Sequence, residues 1–356
     1  MNDITKDWKW QLCNCVTNVD QLAKHLTLTK EQFKSIETVS NYYKMRITPY
    51  YLGLIQYPYE DSPIFKQAIP SISELTTFEE LDIDPLSEQK YMPVQSLIHK
   101  YPDRVVLLVT NNCFMYCRHC TRKNTVVCIE KSPLNYFAQA IAYINEHKEI
   151  SDVLISGGDP LFLEDEKLEY ILKSLRNIKH INTIRIGTRA PVVLPMRITE
   201  ELSKILRKYM VWVNTHFNHP LEITEQSVRA CACLQDHGIP VGNQTVLLKG
   251  VNDDIETMKI LFTKLIKYRV RPYYLYQCDY TQGVSHFITP VSTGIDIIRA
   301  LRGNISGYAI PNYVIDCPGD GGKIVIEPNN IIEEQAKVLL LSNYQGRQIE
   351  YPLFHI

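Results

Sequence analysis

Six short apolar, β-branched runs recur through the middle of the chain, with helical patterns between them. They are Arg104-Val-Val-Leu-Leu-Val-Thr110, Asp152-Val-Leu-Ile-Ser156, Thr183-Ile-Arg-Ile-Gly187, Val211-Trp-Val-Asn-Thr215, Val241 to Leu248, and Arg271-Pro-Tyr-Tyr-Leu-Tyr276. Apolar runs this short, bounded by turn residues, read as buried strands. The intervening spacing is helical: Leu168, Leu172 and Leu175 fall at i, i+4 and i+7 and so share one face. Strands alternating with helices predict a parallel sheet, and a regular series of them predicts a barrel. Six units rather than eight predict an α/β fold built on a partial (β/α)6 TIM-like barrel. Chemistry in such a barrel gathers at the C-terminal ends of the strands, and the polar, glycine-bearing motifs of this chain fall there.

The chain divides into three regions. Residues 1–95 predict a mostly helical N-terminal extension with proline-bearing loops such as Tyr57-Pro-Tyr-Glu-Asp-Ser-Pro63, residues 96–323 the barrel, and residues 324–356 a short C-terminal segment without a readable motif. With 356 residues the chain can bury a large core. A formal net charge of −1 gives no electrostatic attraction to nucleic acid or an anionic membrane. No apolar run approaches the ~20 residues a membrane helix needs. Ten cysteines behind a polar, charged N-terminus place the chain in a reducing cytoplasm, where disulfides are not expected.

Three of those cysteines follow the first strand in Cys113-Phe-Met-Tyr-Cys117-Arg-His-Cys120, a C-x₃-C-x₂-C loop. Thiolates this close can hold one inorganic centre. A structural zinc wants four protein ligands, whereas a 4Fe–4S cluster on three cysteines keeps one iron open for a substrate or cofactor. Cys128, after Val126-Val127, reads as packing and not as a fourth ligand. Inert core cysteines are the plain alternative, but the flanking Arg118, His119, Thr121, Arg122 and Lys123 do not look like core.

The loop resembles the signature of the radical S-adenosylmethionine (SAM) enzymes. Met115-Tyr-Cys-Arg-His-Cys-Thr-Arg122 and further stretches resemble lysine 2,3-aminomutase and its relatives, in order and at consistent spacing from about Trp8 past Lys323. The resemblance implies the radical SAM form of the partial barrel. It also implies that Ser156, Gly157, Gly158 and Asp159 bind the methionyl end of SAM, with His216 and Gln244 in the same pocket. Taken alone, the glycines are an ordinary βα turn and the others satisfied structural polar residues.

Asp316-Cys-Pro-Gly-Asp-Gly-Gly-Lys323 invites a phosphate-loop reading, which fails because Ile324 stands where serine or threonine is needed. It resembles instead the family segment whose lysine carries pyridoxal phosphate (PLP). Arg104, Tyr101 and Tyr276 are implied as further PLP contacts, and Lys100 stands where the family has arginine. A solvated surface lysine, a solvated loop and a core tyrosine are the plain alternatives. Arg122 matches the arginine that clamps the substrate α-carboxylate, and Asp279 and Asp316 match the aspartates that hold the distal ammonium of lysine. Two carboxylates facing one cation suit a basic side chain and repel a glutamate-type one.

The departures from the family are specific. The long aminomutases bind zinc through a cysteine-rich tail and one barrel cysteine. Here no cysteine follows Cys317 and Asp254 stands at the barrel position, so no zinc is expected and subunit contacts resting on that tail do not carry over. Asp320 adds a charge beside Lys323. The resemblance implies a radical SAM, PLP-dependent isomerase that converts L-lysine to β-lysine, with an electron donor such as flavodoxin or ferredoxin; homo-oligomerisation stays open. The rivals are an arginine 2,3-aminomutase, an aminomutase acting on a protein lysine and, in a different class, a non-catalytic metal-binding protein.

Overall fold

The computed structural model describes residues 7–124, 133–319, 321–335 and 338–353. Cys128 and Asp320 lie outside the described residues. Nine strands form one sheet in sequence order: β1 (Leu97–Tyr101), β2 (Arg104–Thr110), β3 (Asp152–Gly157), β4 (Thr183–Gly187), β5 (Val211–Thr215), β6 (Val241–Leu247), β7 (Arg271–Gln277), β8 (Asn312–Cys317) and β9 (Gly322–Val325). Strands β2 to β8 run parallel, and β1 and β9 are antiparallel edges. The six expected strands are therefore present as β2 to β7. The sheet extends further than the six-unit reading: β8, which the sequence reading took only as a motif, is a seventh parallel strand, and β9 carries Lys323.

Helices cover the outside of this curled half-barrel. Asp165–Arg176 buries Leu168, Ile171, Leu172 and Leu175 and carries Asp165 and Glu166 in its first turn and Lys173 and Arg176 in its last. That charge order complements the helix dipole. Parallel strands are covered on both faces, so Val153, Ile155, Ile184, Ile186, Val211 and Val213 are buried in one continuous core. The extension supplies short helices, among them Trp8–Cys13, Lys30–Ser40, Pro49–Leu52 and Pro63–Ala68, and contributes Leu22, Ile36, Ile47, Tyr51 and Ile64 to the same core. The segment after Lys323 holds a separate antiparallel sheet of β10 (Ile331–Glu334), β11 (Val338–Ser342) and β12 (Gln348–Pro352), which carried no readable motif. No helix among the described residues is long and apolar enough to cross a membrane.

Two contacts position the site. At the end of β3, Gly157 has φ +131°, and a Cβ there or on Gly158 would overlap the carbonyl oxygens of Thr110 and Asn112. Asp159 N–H donates to the Asn112 carbonyl at 2.8 Å. The glycines thus let the cysteine loop leave β2 flush against β3. At the other end of the sheet, Lys323 N–H on β9 donates to the Tyr101 hydroxyl on β1 at 2.9 Å, so the two sheet edges meet. Gly158→Ala must push the Asn112 backbone aside. A loss of about 1–3 kcal/mol, the usual cost of overpacking, is expected in urea unfolding.

Candidate functional site: a cysteine loop facing a lysine at the barrel seam

The cysteine loop is held by the N-terminal extension as much as by the barrel. Arg46 donates to the Cys113 carbonyl at 3.1 Å, Tyr116 N–H to the Arg46 carbonyl at 3.1 Å, and Arg118 N–H to the Gln67 carbonyl at 2.9 Å. The flanking cations Arg118 and Lys123 are buried, although in the sequence they do not look like core. Arg118 is 1% exposed and Glu74, which it grips through Nε and Nη2, is also 1% exposed. Arg118 also donates to the Lys44 carbonyl at 2.9 Å. Lys123 joins the same carboxylate at 2.6 Å and donates to the carbonyls of Arg118 and Gly283. Pairing makes burial of this charge tolerable.

Cys113 and Cys120 both lie close enough to the other thiols of the loop to have their proton affinity raised by them. Burial pushes Cys113 well up and Cys120 up to about 11, with the neighbouring thiols adding to both. Binding of iron must therefore displace protons. Yet no three cysteine, histidine or carboxylate groups among the described residues converge on one metal-ion position. Three thiols on one eight-residue loop are the donor set for a cluster that keeps one iron open. Beside them, His119 Nδ1 and, at the end of β5, Thr215 Oγ1 are buried without a partner among the described residues. Atoms like these call for a ligand atom. The residues present fit a cluster and a polar cofactor.

Ser156 and the two glycines end β3 beside the cysteine loop. Asp159 is turned inward: its carboxylate accepts from Leu161 N–H, the Thr188 hydroxyl and Arg189 N–H, at 3.1, 2.7 and 2.8 Å. It holds the β3 and β4 loops together. The His216 ring bonds to the Gln244 backbone, which brings those two candidates together. Burial, helped by the Arg189 charge, lowers His216 to about 4 and keeps the ring neutral. Arg189, which follows β4, is 7% exposed and bonds to Cys117 Sγ at 3.0 Å.

Across the barrel mouth, Lys323 Nζ pairs with Asp316, its cross-strand partner, and lies 5.6 Å from the Tyr276 ring centroid. Arg104 lies over the Tyr101 ring at 4.1 Å. The four residues implied for PLP thus come together at the seam, and an amine, aromatic rings and a cation there fit a phosphorylated aromatic aldehyde. Lys100 points elsewhere, to the Leu86 carbonyl at 3.4 Å and the Tyr91 ring. Asp279 accepts from the Thr121 hydroxyl at 2.6 Å, one residue past Cys120. Burial, with the charge of Asp316, pushes Asp279 up to about 6. Arg122 grips Glu88 through Nε and Nη2 at 2.8 and 2.6 Å and reaches Ser156 Oγ at 3.3 Å. Asp254 caps the helix Ile255–Lys267 by accepting from Thr257 N–H at 2.8 Å.

Sequence reasoning missed Glu74, Gln67, Glu88 and Glu222. They carry no local motif; only Arg189 had a usable signal, its place at a strand's C-terminal end.

Residues 107–261 match the radical SAM superfamily, the class that the half-barrel and its three-cysteine loop define. Residues 298–353 match lysine-2,3-aminomutase. The chain is 51% identical to the L-lysine 2,3-aminomutase of Clostridium subterminale over 96% of this chain and 82% of that one. It is 48% identical to the L-lysine 2,3-aminomutase of Bacillus subtilis, over 97% and 74%. It is 42% identical to the glutamate 2,3-aminomutase of Clostridioides difficile, over 98% and 84%. The chain belongs to the lysine 2,3-aminomutase family of radical SAM isomerases. Membership implies a 4Fe–4S cluster and SAM, and the lysine aminomutase relatives imply PLP.

Burial alone would raise Glu74, but Arg118 and then Lys123 outweigh it and hold its pKa below the usual carboxylate range. Its contribution is therefore complete above that range and is lost as pH falls through the lowered value. Glu74→Gln leaves two buried cations poorly paired, and urea unfolding at pH 7 should register about 3–5 kcal/mol of lost stability.

Proposed function

We propose that this chain is a PLP-dependent 2,3-aminomutase whose substrate is L-lysine and whose product is β-lysine. The observation that carries the substrate is the balance of charge around Asp279 and Asp316. Asp279 accepts a hydrogen bond from the Thr121 hydroxyl, not from a cation, and senses Asp316 as a like charge. Asp316, its side chain 8% exposed, is balanced by the Lys323 ammonium. When Lys323 is committed to PLP, that balance is withdrawn. Two buried carboxylates then need another cation, and a substrate ammonium supplies it.

In this reading the cluster with SAM would supply radical chemistry and PLP would supply a conjugated ring able to delocalise an unpaired electron. The chain's own residues hold and orient. Cys113, Cys117 and Cys120 ligate the cluster. Ser156, Gly157, Gly158, Asp159, His216 and Gln244 shape the SAM seat, and Lys323, Tyr101, Arg104 and Tyr276 the PLP seat. Arg122, oriented by Glu88 and Ser156, takes the substrate α-carboxylate, and Asp279 and Asp316 take the distal ammonium. Fixing both ends of the substrate sets its reacting carbons against the radical source, which is where most of the protein's contribution lies.

Turnover of lysine, arginine, glutamate and alanine by anaerobically reconstituted protein tests the proposal. Lysine should be preferred. Preference for arginine would keep the mechanism and change the substrate, and preference for glutamate or alanine would refute the cationic reading. Asp279→Ala should weaken lysine use by about 3–5 kcal/mol while SAM binding stays near wild type. Because burial raises Asp279 to about 6, the empty site holds its uncharged acid once pH falls below that value, whereas an ammonium binds the carboxylate. Lysine kcat/KM should therefore fall about tenfold per pH unit below that value. Borohydride reduction of the PLP-loaded protein should label Lys323, and label at another lysine would remove it from the PLP seat.

A further inference from the structure

We propose that Arg189 is a positioning residue for the cluster, and that its Nη1–H···Sγ bond to Cys117 raises the reduction potential of the centre. The proposal rests on the reading that the three cysteines hold a 4Fe–4S cluster.

The geometry aims the guanidinium at sulfur and fixes it there. Arg189 N–H is held by Asp159 at 2.8 Å, and Nε donates to the His216 carbonyl at 3.1 Å. Nη2 donates to Gln67 at 2.6 Å and to Glu222 at 2.7 Å, with the Tyr51 hydroxyl at 3.4 Å. That leaves Nη1 directed at Cys117 Sγ, 3.0 Å away. Glu222 is itself locked, accepting from Tyr51 and from the backbone N–H groups of Asn218 and His219. The side chain cannot swing without uncovering a buried carboxylate.

The donors at the thiolates differ in kind. Cys120 accepts the backbone N–H of Arg122, a neutral donor. Cys117 accepts from a full positive charge that is 7% exposed, so water screens it little. Reduction adds one electron to the cluster and one negative charge to the cluster and its thiolates. A charge-assisted hydrogen bond to a ligand sulfur stabilises that added charge and makes the electron easier to accept. The electron comes from an external low-potential donor, dithionite in the experiment below. Glu222 balances the guanidinium overall, but it sits on the Nη2 side while the donor edge meets sulfur.

The test is an EPR-monitored redox titration of anaerobically reconstituted full-length protein, with iron and sulfide measured first. At a fixed potential near the wild-type midpoint, Arg189→Gln should lower the reduced-to-oxidised ratio by about tenfold, equivalent to ~59 mV for one electron. Arg189→Lys keeps the charge but loses the fixed fork and should move the ratio in the same direction by less. Tyr51→Phe perturbs the same network without touching sulfur and should leave the midpoint in place. A fully loaded Arg189→Gln protein with the wild-type midpoint would overturn the proposal, as would an equal shift in Tyr51→Phe, which would mark a structural effect. If the Arg189 variants lose iron, the wild type decides. With arginine ¹⁵N-labelled at the guanidinium alone, which leaves the Arg122 backbone N–H unlabelled, the reduced cluster should show a ¹⁵N hyperfine coupling, and its absence would overturn the contact. A wild-type chain that holds no iron would instead sink the cluster reading itself, a result distinct from a loaded cluster with an unmoved potential.

Discussion

Three cations beside the cysteine loop can be buried with it because each has a carboxylate. Arg118 and Lys123 share Glu74, and Arg189 holds Glu222. Buried pairs of this kind contribute little net stability, yet breaking one is costly. Their effect is therefore on arrangement. Glu74 lies in the extension and Glu222 follows β5, so the loop is pinned from both sides. Gln67 joins the two halves: its side-chain oxygen accepts from Arg189 and Asn218, and its carbonyl from Arg118 N–H. Residues 40–75 are thus one wall of the cysteine site, although their sequence reads as a helical appendage.

The second constraint is the seam. An open sheet of nine strands leaves two edges, and here the edges approach each other through Tyr101 and Lys323. Gly322, at φ +63°, leaves room where a Cβ would stand 3.0 Å from the Tyr101 hydroxyl. Lys323 is consequently held from the backbone outward, by Tyr101 at its N–H and by Asp316 at Nζ. A lysine that must meet a cofactor at one orientation gains from this double hold. Thr121 reaches Asp279 across the mouth, so the loop that carries the cysteines also touches the seat proposed for the substrate's distal charge.

What could be read from the sequence was what local pattern encodes. Strands β2 to β7 announce themselves because parallel strands are continuous apolar runs, and the cysteine spacing is a covalent fact. Strand β8 escaped because Asn312-Tyr-Val-Ile-Asp-Cys317 runs directly into a glycine turn and was taken as a motif. Strands β1 and β9 are short and half exposed, and their assignment depends on partners that sequence alone does not identify. The largest error was to read Arg118 and Lys123 as too polar for burial. Polarity predicts exposure only when no counter-charge is available, and Glu74 lies 44 residues before Arg118 along the chain. Glu88 and Arg122 repeat the lesson across 34 residues.

The same distinction between paired and unbalanced charge separates structure from specificity. Glu74 faces two cations and Glu222 is bonded by Arg189, Tyr51 and two backbone N–H groups, so neither has capacity left for a ligand. Asp159 is likewise spent on three donors within the fold. Asp279 differs in its partners: it is part-buried, its carboxylate accepts from the Thr121 hydroxyl, and its proton affinity rises whereas that of the doubly paired Glu74 falls. A carboxylate whose proton affinity is raised first by desolvation and then by a second carboxylate is unfavourable for folding and persists where function uses it. A cation entering beside Asp279 and Asp316 relieves that strain, whereas an acidic side chain increases it. The proposed preference for lysine over glutamate thus follows from which carboxylates the fold has left without a cation of their own once Lys323 is taken by PLP.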